Sequence, residues 1–244
     1  MRLQALVFDC DGVLGDTERD GHLPAFNQTF AEFGIPVEWS VERYAELVKI
    51  GGGKERMNHA LTDDDLRAAG LDPADRADII ARLHKRKSAV FQELVQGGAV
   101  PPRPGIRRLI HEALDLGLKV AVASTSAEAS VAAVLRTAVG EEAAARCVIR
   151  AGDIVERKKP APDIYLAALE AIGVDAEHAV AVEDTDIGLA AARAAGLVTV
   201  ITQSALTQPD EDFTGAAMVL PHLGDDITVA ALDELLTPDE RNPL

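Results

Sequence analysis

The sequence predicts an α/β protein built on a doubly wound parallel sheet, with an α-helical domain inserted after the first strand. Two observations lead to this prediction. Short apolar runs recur along the chain with helical patterns between them, and each run is apolar throughout rather than alternating, as in strands covered on both faces. One long stretch near the amino terminus interrupts this rhythm, because it holds helical patterns but no strong strand.

Six apolar runs are candidate strands, at residues 5–8, 118–123, 147–149, 179–182, 198–201 and 218–220. Helical patterns separate them, at residues 106–116, 130–137, 163–172 and 187–195. Gly117, Gly173 and Gly196 stand where three of these helices should end. Because strand–helix–strand connections form right-handed crossovers, the alternation favours a parallel sheet with helices on both faces.

The interruption predicts a separate helical domain at residues 16–98. Helical patterns cover residues 23–33, 41–49 and 73–96, and we expect Trp39 and Tyr44 in the core that they form. Turn-forming residues close the segment, namely Gly97-Gly98 and the proline-rich run 101–105. We therefore expect a core domain of residues 1–15 plus 99–244, with a frayed tail after Leu236, and hinges at both connections to the insert.

An acidic composition restricts the partners of the protein. The chain has 24 Lys and Arg against 40 Asp and Glu, which gives a formal net charge of −16. A field of that sign repels nucleic acid and anionic lipid, so we expect neither a nucleic acid nor a membrane as a partner. The same field would repel a phosphorylated substrate, so a site for one needs its own local cations.

The amino terminus and the cysteines indicate a cytoplasmic protein. Cys10 and Cys147 lack the paired spacing of a zinc site. The chain enters a strand-like run without a signal-peptide pattern, and no apolar stretch reaches the roughly 18 residues of a membrane span. An organelle stays open, because a targeting segment could have been removed. We expect a monomer or a weak homo-oligomer.

Acidic residues follow the first predicted strand, at the edge where open parallel sheets bind ligands. Asp9 and Asp11 are spaced i and i+2, so both side chains leave on one face. Carboxylates this close repel each other unless a cation or a shared proton relieves them. With a divalent metal, such a pair can divide the roles of nucleophile and acid–base catalyst.

Three further signals follow the next strands. Ser124 and the N–H groups after it suit phosphate oxygens, although for this serine taken alone a helix cap is the more common explanation. Lys159 precedes a proline-rich turn, where it is either exposed or fixed against a carboxylate and a phosphate. Glu183 and Asp184 can complete a metal site of hard oxygen ligands. Residues that occurred there by chance would be scattered over the chain. All four sets instead follow strands at the same edge of the sheet, which favours metal-dependent phosphoryl transfer.

In this order, the four motifs resemble those of the haloacid dehalogenase (HAD) superfamily, and the helical insert resembles its C1-type cap. The resemblance covers about residues 3–188. It implies a HAD-like, Rossmannoid fold in which Asp9 forms an aspartyl-phosphate. Asp11 protonates the leaving oxygen and later activates water, while Ser124 and Lys159 bind the transferring phosphoryl group.

The resemblance also implies a Mg²⁺ ion held by Asp9, the Asp11 carbonyl, Asp184 and Glu183. Dehalogenases of this fold carry one aspartate in the first motif and need no metal. Asp11 and the Glu183-Asp184 pair therefore argue against dehalogenation.

Segments 9–14, 16–22 and 49–57 look like the CbbY-type family, whose members are xylulose-1,5-bisphosphate phosphatases that protect Rubisco in the Calvin cycle. This resemblance implies that segment 52–56, and a second basic segment at 83–87, meet the non-transferring phosphate. A solvated face is the plainer interpretation of both. The expected substrate-binding residues are Asp16, Gly52, Gly53, Lys54, Glu55, Arg56, Lys87, Ser124, Thr125 and Ser126.

The leading hypothesis is thus a Mg²⁺-dependent phosphatase of a small sugar phosphate, foremost xylulose 1,5-bisphosphate. The same motifs and cap also serve a sugar-phosphate mutase of the β-phosphoglucomutase type and a phosphoglycolate-type phosphatase. A regulator that has lost catalysis is disfavoured, because all the expected acids are present.

Overall fold

The structure is a computed structural model that describes residues 1–236. The chain forms two compact units. The first, the sheet unit, contains Met1–Asp16 and the chain from Pro101 onward; the second, the helical unit, is Thr17–Val100. The sequence-based bounds for the insert were residues 16–98. The tail expected to be frayed lies outside the described residues.

A six-stranded parallel sheet organises the sheet unit. Its strands are β1 Ala5–Phe8, β2 Lys119–Ser124, β3 Val148–Ala151, β4 Ala179–Glu183, β5 Val198–Thr202 and β6 Met218–Leu220. They lie in the order β3-β2-β1-β4-β5-β6, and because β1 pairs with β2 on one side and with β4 on the other, the strand order reverses at β1. Ligand crevices of open parallel sheets lie at the carboxyl ends of the strands beside such a reversal. The predicted doubly wound sheet is confirmed.

The helical unit contains five α-helices, preceded by a π-helical turn at Glu18–His22. Its core is aromatic: the Phe26 and Phe30 rings each lie 4.9 Å from the Trp39 ring, and Tyr44 is fully buried. Trp39 and Tyr44 are therefore core residues, as the sequence predicts. The helices are α1 Leu23–Glu32, α2 Val41–Leu47, α3 Gly53–Ala60, α4 Asp63–Ala68 and α5 Arg76–Gln96.

Helices of the sheet unit cover the sheet. Small residues of the central strands, such as Ala121 and Ala181, pack with Ile164 and Tyr165 of the helix Asp163–Ile172. Because these strand residues are small, that helix approaches the strands closely. The four predicted crossover helices are present; the helix at residues 163–172 has the predicted bounds, and the bounds of the other three differ by at most two residues. The helices are α6 Ile106–Asp115, α7 Glu128–Val139, α8 Glu141–Ala145, α9 Asp163–Ile172, α10 Asp186–Ala194 and α11 Val229–Glu234. Among residues 1–236, no helix combines the length and the apolar character that crossing a membrane requires.

Candidate active site

Three buried carboxylates meet at the carboxyl ends of β1 and β4. Asp9 directly follows β1, Glu183 is the last residue of β4, and Asp184 comes next. One oxygen of each lies within 4.8 Å of the others. The strand register explains the meeting, because Phe8 is opposite Val182 and the Asp9 N–H donates to the Val182 carbonyl at 2.9 Å.

Lys159 joins two of these carboxylates. Its Nζ lies 2.6 Å from Asp9 Oδ1 and 2.6 Å from Glu183 Oε1. The Tyr165 hydroxyl, from α9, also donates to Glu183 Oε1. The lysine side chain is 10% exposed, so these are buried ion pairs. Lys159 is therefore fixed against the carboxylates, and the alternative of a merely exposed lysine is wrong.

The site holds more negative than positive charge. Burial raises the pKa of the Asp9 carboxyl to about 7, an effect that Lys159 opposes and Glu183 reinforces. Burial, with the neighbouring Glu183 and Asp9, raises the pKa of Asp184 well above its ordinary value. Burial alone would lower the pKa of Lys159, but the negative charges of Asp9 and Glu183 have the larger combined effect and hold the Lys159 pKa well above its usual range. A divalent cation would relieve this excess of negative charge.

The donor set fits Mg²⁺, which prefers carboxylate and carbonyl oxygens. Two glycines leave room for these carboxylates. A Cβ at Gly12, whose φ is +79°, would lie 1.8 Å from Asp184 Oδ2, and one at Gly188 would lie 2.1 Å from the Glu183 carboxyl carbon. The carboxylates thus pack directly against backbone, where a side chain would displace them.

The loop after β2 contacts the second aspartate of the first motif. The Ser126 hydroxyl donates to Asp11 Oδ2, and the Ser126 N–H donates to Ser124 Oγ at 3.1 Å. Ser124 is buried, whereas Thr125 is exposed. The Asp11 carboxylate is not one of the three clustered carboxylates. Asp11, Ser124 and Ser126 therefore lie together, as the parallel strand ends predict.

Asp16 belongs to the sheet unit and contacts the loop after β5. Its Oδ1 accepts a hydrogen bond from the Ala205 N–H at 3.0 Å and lies 3.7 Å from Arg103 Nε. Substrate binding by Asp16 stays a prediction. Sequence reasoning missed Arg103, which lies in the proline-rich run and resembled a simple linker residue.

Within the helical unit, one predicted binding residue forms a buried network. Arg56 is 6% exposed, and its Nη1 lies 3.4 Å from Glu18 Oε2. The Tyr44 hydroxyl donates to Glu18 and accepts from Arg56. Sequence reasoning missed Glu18 as a partner, although it lies in segment 16–22.

The other predicted residues of this unit differ in burial. Lys87 is 6% exposed, with its Nζ 2.7 Å from His22 Nδ1 and 4.4 Å from the centre of the Phe26 ring. Gly52 and Gly53 are partly buried, while Lys54 and Glu55 are exposed. Arg56 and Lys87 are therefore not on a solvated face, whereas Lys54 is. Phosphate binding by these residues stays a prediction.

Residues 3–196 match the family model described as haloacid dehalogenase-like hydrolase. The chain is 49% identical to a CBBY-like protein of Arabidopsis thaliana over 91% of this chain and 69% of that protein. It is 43% identical to the plasmid-encoded protein CbbY of Cupriavidus necator, over 91% of this chain and 87% of that protein.

A solved structure with the same fold is a variant of CbbY from Rhodobacter sphaeroides in complex with xylulose-(1,5)bisphosphate. It superposes with a TM-score of 0.81 at 38% identity, over 94% of this chain and 99% of that chain. The family match, the identities to the CbbY proteins and the clustered acids and lysine at the sheet edge agree with one another. The chain belongs to the haloacid dehalogenase-like hydrolase family and, within it, is a CbbY-type phosphatase.

Proposed function

We propose that this protein is a Mg²⁺-dependent phosphatase that hydrolyses a small sugar phosphate, foremost xylulose 1,5-bisphosphate, through an aspartyl-phosphate. The observation that carries this proposal is the buried cluster of Asp9, Glu183, Asp184 and Lys159 at the point where the strand order reverses. The substrate is inferred from the related CbbY structure that binds this bisphosphate.

Asp9 is the proposed nucleophile. One carboxylate oxygen attacks the phosphorus, the bond from phosphorus to the sugar oxygen breaks, and a mixed anhydride, the aspartyl-phosphate, forms on Asp9. Lys159 contacts Asp9 Oδ1 at 2.6 Å, which orients the carboxylate and places positive charge beside the incoming phosphoryl group. Glu183 accepts a hydrogen bond from Lys159 and so holds the lysine in place, and the Tyr165 hydroxyl in turn donates to Glu183.

Asp11 is the proposed acid and base. Protonated, it gives its proton to the departing sugar oxygen; ionised, it then takes a proton from the water that attacks the aspartyl-phosphate. This second step releases inorganic phosphate and restores the Asp9 carboxylate. The Ser126 hydroxyl, bonded to Asp11 Oδ2, fixes the orientation of this carboxyl group.

Mg²⁺ would be held by Asp9, Glu183, Asp184 and the Asp11 carbonyl, and when bound it supplies charge that offsets the negative phosphoryl oxygens. The chain's own contribution is the preformed cluster, which is buried and therefore acts in a medium of low dielectric. Ser124, buried at the end of β2, is the proposed hydrogen-bond donor to the transferring phosphoryl group.

We also propose that segment 52–56 and Lys87 bind the second phosphate, with Asp16 contributing to substrate binding. This part rests on the resemblance of segment 49–57 to the CbbY proteins. In a chain with a net charge of −16, a bisphosphate requires cations of this kind. A cytoplasmic location and a monomeric or weakly associating state remain predictions.

The test is a panel of sugar phosphates assayed for phosphate release with Mg²⁺ and again after EDTA. The proposal expects the highest kcat/KM for xylulose 1,5-bisphosphate and loss of release after EDTA. Faster release from phosphoglycolate or a hexose phosphate would contradict the assigned substrate. Isomerisation of a sugar phosphate without release of phosphate would identify a mutase instead.

A further inference from the structure

The loop after β5, residues 203–207, contacts the candidate metal site. The Ser204 side chain lies beside the Asp184 carboxylate and favours its ionised form, and the Thr207 hydroxyl lies 3.4 Å from the Asp184 carbonyl. A Cβ at Gly12 would lie 1.8 Å from Asp184 Oδ2 and 3.0 Å from Ser204 Cβ, so these groups lie side by side. Ser204 thus lies next to a proposed metal ligand, although the strand that precedes it, β5, carries none of the four motifs.

Arg103 fixes this loop on the amino-terminal side of Ser204. Arg103 is 8% exposed, and its guanidinium donates to the Thr202 carbonyl at 3.0 Å, to the Thr202 hydroxyl at 3.1 Å and to the Gln203 carbonyl. It also donates to the Gly12 and Pro221 carbonyls. One side chain therefore ties together the loops that follow β1, β5 and β6.

Asp16 fixes the loop on the other side, because its Oδ1 accepts the Ala205 N–H at 3.0 Å. The Ser204 N–H donates to the Thr207 hydroxyl at 2.8 Å. The backbone is thus held immediately before, at and after Ser204. The planar guanidinium of Arg103, with five N–H donors, suits this many acceptors, whereas a lysine ammonium offers three.

Asp184 needs such support because it lies among like charges. Glu183 and Asp9 repel it, and burial disfavours its ionised form. A carboxylate in this position would rotate away from its neighbours unless a donor held it. Partners of this type orient metal ligands, and their loss weakens metal affinity or activity by about 10–100-fold.

We propose that Ser204 is a positioning residue that orients Asp184 for Mg²⁺, and that Arg103 and Asp16 hold the Ser204 loop in place. The inference rests on the proposed function, since it requires Asp184 to be a metal ligand. Ser204 acts on the substrate only through Asp184, so its removal should weaken Mg²⁺ binding without changing the KM for substrate at saturating Mg²⁺.

The test is calorimetric titration of MgCl₂ into the metal-free full-length protein, comparing wild type with Ser204→Ala, Ser204→Thr and Arg103→Lys. We expect Ser204→Ala to raise the Mg²⁺ Kd by about 10-fold. Ser204→Thr keeps the hydroxyl, so its Mg²⁺ Kd should stay within about threefold of the wild-type value, a smaller change than that expected for Ser204→Ala. Arg103→Lys should shift the Kd in the same direction as Ser204→Ala.

Thr199→Val is the matched control. It removes a buried hydroxyl from the amino-terminal end of the same strand, where that hydroxyl donates to the Leu197 carbonyl at 3.2 Å, and it should leave the Mg²⁺ Kd unchanged. Hydrolysis of p-nitrophenyl phosphate by Ser204→Ala should recover at high Mg²⁺ with an unchanged KM.

The outcomes separate this inference from the proposed function. A wild-type protein that binds no Mg²⁺ would contradict the function itself. A wild type that binds Mg²⁺, together with a Ser204→Ala variant of equal affinity, would overturn only the positioning role. Equal weakening by Thr199→Val would also overturn it, because the effect would then be a general loss of stability.

Discussion

Replacing Lys159 by methionine should destabilise the protein and abolish its activity. Lys159 makes two ion pairs of 2.6 Å, with Asp9 and Glu183, whose side chains are 10% and 1% exposed. Removing one partner of a buried ion pair costs about 3–5 kcal/mol, because the remaining charge is left uncompensated. For a unit of this size, that cost corresponds to a fall in Tm of about 6–20 °C.

Lys158→Met provides the control at the adjacent position. Lys158 is 40% exposed and pairs at 3.0 Å with Asp153, which is 89% exposed. Exposed pairs of this kind contribute about 0–1 kcal/mol. The assay is thermal unfolding in EDTA and again in excess MgCl₂, with phosphatase turnover measured alongside.

Added Mg²⁺ should raise the Tm of Lys159→Met more than that of wild type, because the cation replaces part of the missing positive charge. Turnover at saturating Mg²⁺ should fall at least about 100-fold, as when a group that stabilises the transition state is lost. A Lys159→Met protein with the Tm and turnover of Lys158→Met would refute this account of the buried charges.

Two further substitutions test the metal site and the substrate assignment. Gly12→Ala places a Cβ 1.8 Å from Asp184 Oδ2, so it should weaken Mg²⁺ binding and lower turnover by about 10–100-fold. Gly34→Ala, at a φ of +71° with open space around it, should leave both unchanged in a Mg²⁺ titration and a turnover assay. Lys54→Ala should raise the KM for xylulose 1,5-bisphosphate by at least about 10-fold, since a charge-assisted contact to phosphate contributes about 1.5–3 kcal/mol. The KM for p-nitrophenyl phosphate, which has no second phosphate, should not change. Lys119→Ala, at the exposed start of β2, is the control and should leave both KM values unchanged. If Lys54→Ala raised the KM for both substrates equally, the assigned contact would be contradicted.

The sheet and its catalytic edge could be predicted from sequence for one physical reason. The strands are continuous apolar runs, and the polar residues after them converge because parallel strands end at one edge. Asp9, Lys159, Glu183 and Asp184 therefore meet in the structure although 150 positions separate the first two. Helix α3 was not predicted, because it begins at Gly53 directly after two other glycines, and glycine disfavours helices.

Burial and partners of charged residues could not be predicted in the same way. For Arg56 and Lys87, the sequence left open that they lie on a solvated face. Both are buried, Arg56 against Tyr44 and Lys87 against His22. Arg103 lies about one hundred positions from the carbonyls of the β5 loop that it holds. Local patterns carry no information about such contacts, which arise from tertiary packing.

The nucleophilic role of Asp9 is the central claim, and trapping the phosphorylated protein tests it most directly. Wild-type protein, mixed with Mg²⁺ and xylulose 1,5-bisphosphate and quenched in acid, should carry one phosphoryl group on the peptide that contains Asp9. Asp9→Asn keeps the shape of the side chain but lacks the carboxylate, so it should show neither this mass increase nor phosphate release. A variant that retains full phosphatase activity, or a phosphoryl group trapped on another residue, would contradict the account.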